Sequence, residues 1–198
     1  MSDWTSLNYV VVDTEGNGQQ PQDLVELAIV PITGGVIGEP RSWLVRPKQP
    51  IKGFATHIHG LTTQDVADCP VFEAVQDEIR GALDGAALIA HNAHVDVEAI
   101  RRKLPDWVCP EVFDTLNLAR RLLPGHLSYR LTSLVDMLNL AQGLPQSLRP
   151  HRATYDALVT ANLFVQLTTR PSGYRLSLEE LRGQRPSGGD DDGRPTLF

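Results

Sequence analysis

The feature that most constrains the fold is a pair of short, uninterrupted apolar runs, Tyr9-Val10-Val11-Val12 and Ala86-Ala87-Leu88-Ile89-Ala90, each ending abruptly in polar residues. A strand with one wet face alternates apolar and polar side chains, so a run with no polar member has both faces covered. Such runs are expected of central strands in a sheet sandwiched between helices. The first run continues into Asp13-Thr14-Glu15-Gly16. Side chains at i and i+2 of a strand share a face, about 7 Å apart, so Asp13 and Glu15 look into one site at the strand's end. Like charges held there repel and raise each other's pKa unless something positive intervenes, and a divalent cation is the simplest candidate. Alone, Asp13 to Gly18 also reads as no more than a polar turn, because a D-x-E pattern is short and common.

The rest of the chain specifies the layers. Leu24 to Ile32 is a second strand, Gly34-Gly35 turns it into Val36-Ile37, and Ser42 to Val45 follows Pro40, which predicts an antiparallel meander. Ile51 to Pro70 has no clear periodicity until Thr62-Thr63-Gln64-Asp65, where a short helix is expected to start. Val71, Phe72, Val75, Ile79 and Leu83 recur at helical spacing, predicting a helix over 71–83. Beyond the run at 86–90, a helix is expected over 95–103, a brief parallel strand at Val112–Asp114, and helices over 115–122, 131–138 and 153–167. Strands first antiparallel and then alternating with helices make an α/β domain: a mixed sheet, three antiparallel strands followed by parallel ones, with helices on both faces. Residues 1–170 are expected to form this domain. Residues 171–198 read as a flexible, acidic, Gly- and Pro-rich tail, with Leu176, Leu178 and Leu181 able to dock as one turn or short helix.

A net charge of −6 argues against a protein that grips long duplex nucleic acid electrostatically, though not against one that holds only a strand end. The basic residues are concentrated in the central segment: Arg101, Arg102, Lys103, Arg120, Arg121, Arg130, Arg149 and Arg152. They fit a phosphate-guiding rim and a set of solvated helix faces equally well. The N-terminus lacks the basic and apolar regions of a signal peptide, and no apolar stretch approaches the roughly 20 residues needed to cross a bilayer, so a cytoplasmic location is expected. Cys69 and Cys109 are isolated and are expected to be reduced thiols.

If a metal sits above Asp13 and Glu15, further oxygen ligands must come from the ends of neighbouring elements. Asp96 and Asp156 stand in the opening turns of the helices expected at 95–103 and 153–167, where an acidic residue also complements the helix dipole. His151 lies five residues before Asp156, about 140° around a helix, and is therefore expected in the loop ahead of it. An imidazole there suits a general base that takes a proton from a metal-bound water.

In this order, Asp13-x-Glu15, Asp96 within His91-Asn92-Ala93-His94-Val95-Asp96, and His151-x4-Asp156 resemble the three motifs of the DEDD exonucleases, in the DEDDh branch of DnaQ-like 3′–5′ exonucleases. Segments between them, such as Leu24-Val-Glu-Leu-Ala-Ile-Val and Asp114-Thr-Leu-Asn-Leu-Ala-Arg-Arg-Leu, look like family segments, and Leu44-Val-Arg-Pro and Ala-Arg-Arg-Leu-x-Pro-Gly look nearest to the exonuclease X members. The resemblance covers about Tyr9 to Leu167. It implies a ribonuclease H-like fold and two Mg²⁺ or Mn²⁺ ions, with Asp13, Glu15 and Asp156 on the first ion. Asp13 would also touch the second, Asp96 would act on that ion largely through water, and His151 would be the base. The implied reaction is hydrolysis of the terminal phosphodiester of DNA to nucleoside 5′-monophosphates, in proofreading, repair or end trimming.

The chain departs from the family where Gly16-Asn17-Gly18 replaces the usual hydroxylated or small pair after D-x-E, and where Val95 replaces an aromatic. Gly16, Asn17, His91 and Asn92 are the expected substrate contacts. His57 and His59 are expected to support the nearby loop rather than bind metal, and Glu26 to be structural. Leu197 and Phe198 loosely resemble peptides that dock on sliding clamps, and many relatives form homodimers. The alternatives are a 3′–5′ exoribonuclease resembling ribonuclease T or oligoribonuclease, and a non-catalytic polymerase or clamp adaptor.

Overall fold

The computed structural model of the chain describes residues 2–169 and 172–183. A 3-10 turn at Trp4–Ser6 leads into β1 (Tyr9–Gly16), β2 (Leu24–Thr33), β3 (Val36–Ile37) and β4 (Arg41–Leu44). Then follow α1 (Gly53–His59), α2 (Phe72–Leu83), β5 (Ala87–Ala90), α3 (His94–Lys103), β6 (Val112–Asp114), α4 (Thr115–Leu122), α5 (Leu131–Leu138), α6 (Ala153–Thr168) and α7 (Leu178–Leu181). The strands form one mixed sheet ordered β3-β2-β1-β5-β6, with β4 also on β2. β1 is antiparallel to β2 and parallel to β5, which is parallel to β6. β3 and β4 both lie antiparallel on β2 and act as one edge strand interrupted around Pro40, which has no N–H to give to a ladder.

Strand alternation assigns each side chain of β1 to a layer. Tyr9 and Val11 pack with Ala28, Val30 and Ile32 against α4, α5 and α6. Val10 and Val12 pack with Leu27 and Ile29 against α2 and α3. Continuing the same period, Asp13 and Glu15 fall on the α6 side and Thr14 on the α3 side. The α6 layer is held by an aromatic group: the Phe164 ring lies 5.5 Å edge-on from Trp4 and 5.2 Å from Tyr9, whose hydroxyl donates to the Trp4 carbonyl at 2.6 Å. α6 is apolar almost all round and buried along most of its length, which makes it the axle of this layer.

Two expectations change. The stretch after Pro50 contains α1, whose buried residues are Ala55 and His59, while Phe54 and Ile58 face outward. Its largest apolar residues are thus on the wrong side for a periodicity search. The helix expected from Thr62 is only a turn. Thr62 N and Oγ1 both donate to Asp65 Oδ2 at 2.7 Å, but the chain then continues in i to i+3 turns with Val66 alone buried beneath. Finally, residues 172–183 fold back onto the domain: Leu176 and Leu181 are buried, Trp4 N donates to the Leu176 carbonyl at 2.9 Å, and Ser177 and Glu180 form a capping box on α7. The docking expected of Leu176, Leu178 and Leu181 is thus present, and the described residues 172–183 pack on the domain. Leu197 and Phe198 lie outside the described residues.

Phe164→Ala is expected to cost about 3–5 kcal/mol, since it opens a cavity where the rings of Trp4, Tyr9 and Phe113 meet it. Urea unfolding of the two proteins reads this directly, and an unchanged midpoint would contradict the role given to the aromatic group.

Candidate active site and metal centre

The site lies where β1 outruns its parallel neighbour. β5 pairs β1 only as far as Val11 opposite Ile89, so the last residues of β1 project beyond the parallel part of the sheet. Asp13 and Glu15 there meet Asp156 from the first turn of α6, and ligand-competent oxygens of the three carboxylates lie within 4.8 Å of one another. Asp96 is outside this group. It is buried in the first turn of α3 and accepts from Thr14 Oγ1 at 2.8 Å, as expected if Thr14 points to the opposite face from Asp13 and Glu15.

Burial is the first cause of the electrostatic state of all four acids, because desolvation penalises the charged form. Asp13 is pushed well above the ordinary carboxylate range, with repulsion from Asp96, Asp156 and Glu15 adding to burial. Glu15 is pushed up to about 8, Asp96 to about 7 and Asp156 to about 6. Thr14 moderates Asp96 by hydrogen bonding, and His151 moderates Asp156 through its charge and a main-chain hydrogen bond. Crowded acids that repel one another, all hard oxygen donors, fit a divalent cation such as Mg²⁺ or Mn²⁺ better than a softer metal.

The approach to α6 is built around Glu26. Residue 26 is the ladder partner of Glu15 on β2, and its carboxylate is almost wholly buried. It accepts from Arg152 Nε at 2.9 Å and Nη2 at 3.0 Å, and from the Ala153 main-chain N–H at 3.2 Å. One side chain thereby caps α6 and fixes the residue next to His151. The His151 backbone is left-handed, with φ of 60°, and its side chain is exposed at the head of the helix. Glu26 is thus structural, as expected, but it also places two of the motif residues.

Other expected contacts are engaged within the fold. Asn17 is fully buried: its Oδ1 accepts from Gln19 and Asp23 main-chain N–H groups at 3.1 and 2.9 Å, and its Nδ2 donates to the Gln49 carbonyl at 3.3 Å. It builds the loop after β1 and has no surface with which to touch a substrate, which corrects that expectation. His91 bonds Thr115 Oγ1 at 2.9 Å and the Tyr129 carbonyl at 3.0 Å, so both ring nitrogens tie β5 to α4 and the chain before α5. Asn92 sits at φ of 69° with its N–H on Asp114 Oδ1 at 3.1 Å. The Gly16 carbonyl faces His59 Nε2 at 3.2 Å, while His59 Nδ1 accepts from Leu61 N–H at 3.1 Å. That second bond requires the ring proton to be on Nε2, so His59 donates to Gly16 and supports the loop. His57 is exposed.

Beside Glu15 opens a cavity of about 240 Å³, lined by Gly16, Gly18, Phe54, Ile58 and His59 among others. Gly18 has φ of 73°, and a Cβ there would come within 2.7 Å of the Phe54 ring, so only glycine leaves this wall in place. Sequence reading missed the Phe54 and Ile58 pair, whose one signal is their i, i+4 spacing.

A family model described as RNase_T, Exonuclease, matches residues 10–164. The chain belongs to this exonuclease family. It is 36% identical over 169 residues to the 3′-5′ exonuclease DinG of Bacillus subtilis, covering 80% of this chain but only 17% of that one. It is 35% identical over 177 residues to Exodeoxyribonuclease 10 of Escherichia coli, covering 89% of this chain and 76% of the relative. A solved structure of Exonuclease X in complex with 5′ overhanging duplex DNA matches with a TM-score of 0.69 and 35% identity, over 87% of this chain and 98% of that one. The ribonuclease H-like mixed sheet read from the sequence is the fold of this exonuclease domain. No helix among the described residues is long and apolar enough to cross a membrane.

The raised carboxylates give a stability prediction. Without a cation, the native state retains protons that the unfolded chain releases above its ordinary Glu value near 4.5, up to about 8 in the fold. The native state therefore binds more protons across that window, and this contribution to stability declines as pH rises through it. Addition of Mg²⁺ to EDTA-treated protein should raise the melting temperature more at pH 8 than at pH 5. A shift of equal size at both values would contradict the assignment.

Proposed function

We propose that the protein is a metal-dependent 3′–5′ exonuclease that hydrolyses the terminal phosphodiester of DNA, at single-stranded or frayed 3′ ends, and releases nucleoside 5′-monophosphates. The convergence of Asp13, Glu15 and Asp156 within 4.8 Å carries this reading. The DNA-acting relatives favour DNA over the ribonuclease alternative: one is named an exodeoxyribonuclease, and another holds duplex DNA. Retention of all five motif residues leaves the adaptor reading without support.

In this proposal Asp13, Glu15 and Asp156 hold one Mg²⁺ (or Mn²⁺), and Asp13 with Asp96 serves a second. When bound, such ions neutralise charge on the phosphate and on the entering and leaving oxygens. His151, exposed at the head of α6, accepts a proton from the attacking water, which forms its bond to phosphorus as the bond to the upstream 3′ oxygen breaks. That oxygen takes up a proton, and the phosphate leaves on the 5′ carbon of the released nucleotide. Arg152 and Glu26 orient His151 without touching the reacting atoms. The terminal nucleoside occupies the cavity beside Glu15, where the exposed Phe54 and Ile58 side chains give a base an apolar surface without hydrogen-bond readout. Recognition of an end rather than a duplex also suits the net charge of −6. A cytoplasmic location, pairing as a homodimer and a clamp contact through Leu197 and Phe198 belong to the same proposal, resting on family resemblance and the terminal sequence.

With Mg²⁺ and a 5′-labelled DNA oligonucleotide, wild type should yield a ladder shortening from the 3′ end, and matched RNA should be degraded more slowly. Asp13→Ala should lower the rate by at least about 10³-fold, and His151→Gln should lower kcat by about 10²–10⁴-fold. Equal activity of Asp13→Ala and wild type would falsify the mechanism.

A further inference from the structure

The structure separates the central basic residues into two groups. Arg102 donates to the Gln22 carbonyl at 2.9 Å, Lys103 pairs with Asp23, Arg121 donates to the Leu181 carbonyl at 2.9 Å and Arg152 is held by Glu26. Arg101, Arg120, Arg130 and Arg149 are exposed, and their guanidinium groups form no hydrogen bond or ion pair with any described residue.

Arg130 and Arg149 immediately precede Leu131 and Pro150, and those two residues line a second cavity, of about 220 Å³, between α5 and the head of α6. Val135 and Tyr155 contribute further apolar surface, and Thr132 and the acids Asp136 and Asp156 complete it. Asp156 belongs to this cavity and Glu15 to the one beside α1, so the two cavities adjoin at the carboxylate cluster. A phosphate held at the cluster therefore has one cavity for each flanking nucleoside.

Charge decides which nucleoside goes where. The nucleoside on the 3′ side of a terminal phosphodiester is the last one and has no further phosphate, whereas the strand on the 5′ side continues with one phosphate per residue. The α1 cavity has no Lys or Arg in its lining, and the Nε2–H of His59 is directed to Gly16. Free arginines precede the α5–α6 cavity on two separate loops. Asp136 inside it repels phosphate, which leaves the rim for the backbone and the apolar floor for sugar and base.

We infer that the cavity between α5 and α6 receives the nucleotide upstream of the scissile phosphate, and that Arg130 and Arg149 contact the phosphates of the single strand leading away from it. This rests on the exonuclease reading and adds a direction to it. Arg130 and Arg149 are binding residues for the strand and take no part in bond breaking.

The test compares a single-stranded DNA oligonucleotide with thymidine 5′-monophosphate p-nitrophenyl ester, which has no upstream strand, in wild type and in the Arg130→Ala/Arg149→Ala double variant. The expected result is a loss of about tenfold in selectivity for the oligonucleotide over the ester. The salt dependence of KM for the oligonucleotide should also flatten by about 0.7 per arginine removed. Arg130→Lys/Arg149→Lys should recover the salt dependence. Equal losses on both substrates would place the terminal nucleoside in this cavity instead and overturn the inference; unchanged selectivity and salt slope would overturn it as well. Wild type inactive on both substrates would reject the underlying exonuclease reading, an outcome separate from these.

Discussion

Repulsion between carboxylates held out of water at the end of β1 is the constraint on which the rest of the structure depends. Asp13 and Glu15 are brought together by strand period alone, and Asp156 arrives on the helix that packs against the same face. A sheet that kept them apart would be easier to fold. This one accepts the repulsion because a rigid frame surrounds it: β1 is flanked by β2 and β5, both apolar layers close over it, and α6 is buried almost throughout. In the proposed mechanism, a divalent cation held by these acids would offset their repulsion.

Glu26 shows how the frame handles an acid beside the cluster that already has a cationic partner. It lies opposite Glu15 in the ladder and adds to the repulsion at the cluster, which the Arg152 charge beside it opposes. Two guanidinium bonds and one main-chain N–H satisfy it, and the same bonds lock the turn that presents His151. Breaking a buried pair from one side leaves an uncompensated charge, so structure and chemistry are coupled at this point. The Asp96 arrangement is a milder version. Thr14, on the other face of β1, gives it a hydroxyl partner and holds it near the cluster without admitting it to the closest group.

Much of the fold was legible because its signals are local. The apolar runs at 9–12 and 86–90, the helical spacing from Val71 to Leu83 and the double glycine at 34–35 all appear where expected. What was not legible turns mostly on partners distant in sequence. Helix α1 turns Ala55 and His59 inward and Phe54 and Ile58 outward, the reverse of an amphipathic pattern, because His59 is needed beneath the Gly16 carbonyl. Asn17, expected to touch substrate, is instead buried in its loop, holding the nearby main chain of Gln19 and Asp23 and, across the chain, the Gln49 carbonyl. Residues from 171 on read as a tail in which Leu176, Leu178 and Leu181 could dock; that docking is present, and its anchor, the Trp4 N–H on the Leu176 carbonyl, comes from the far end of the chain.

The sequence by itself determined the layer order, the strand period that pairs Asp13 with Glu15, and the spacing that makes Asp96, His151 and Asp156 candidates, because each depends on neighbours within a few residues. Only the tertiary structure decided that Asp156 joins the closest group while Asp96 is held by Thr14, that Glu26 and Arg152 set the head of α6, and that Arg130 and Arg149 are free where Arg102 and Arg152 are not. Those outcomes depend on distances between elements far apart in the chain, and on whether burial leaves a charge a partner. Neither quantity has a local signature.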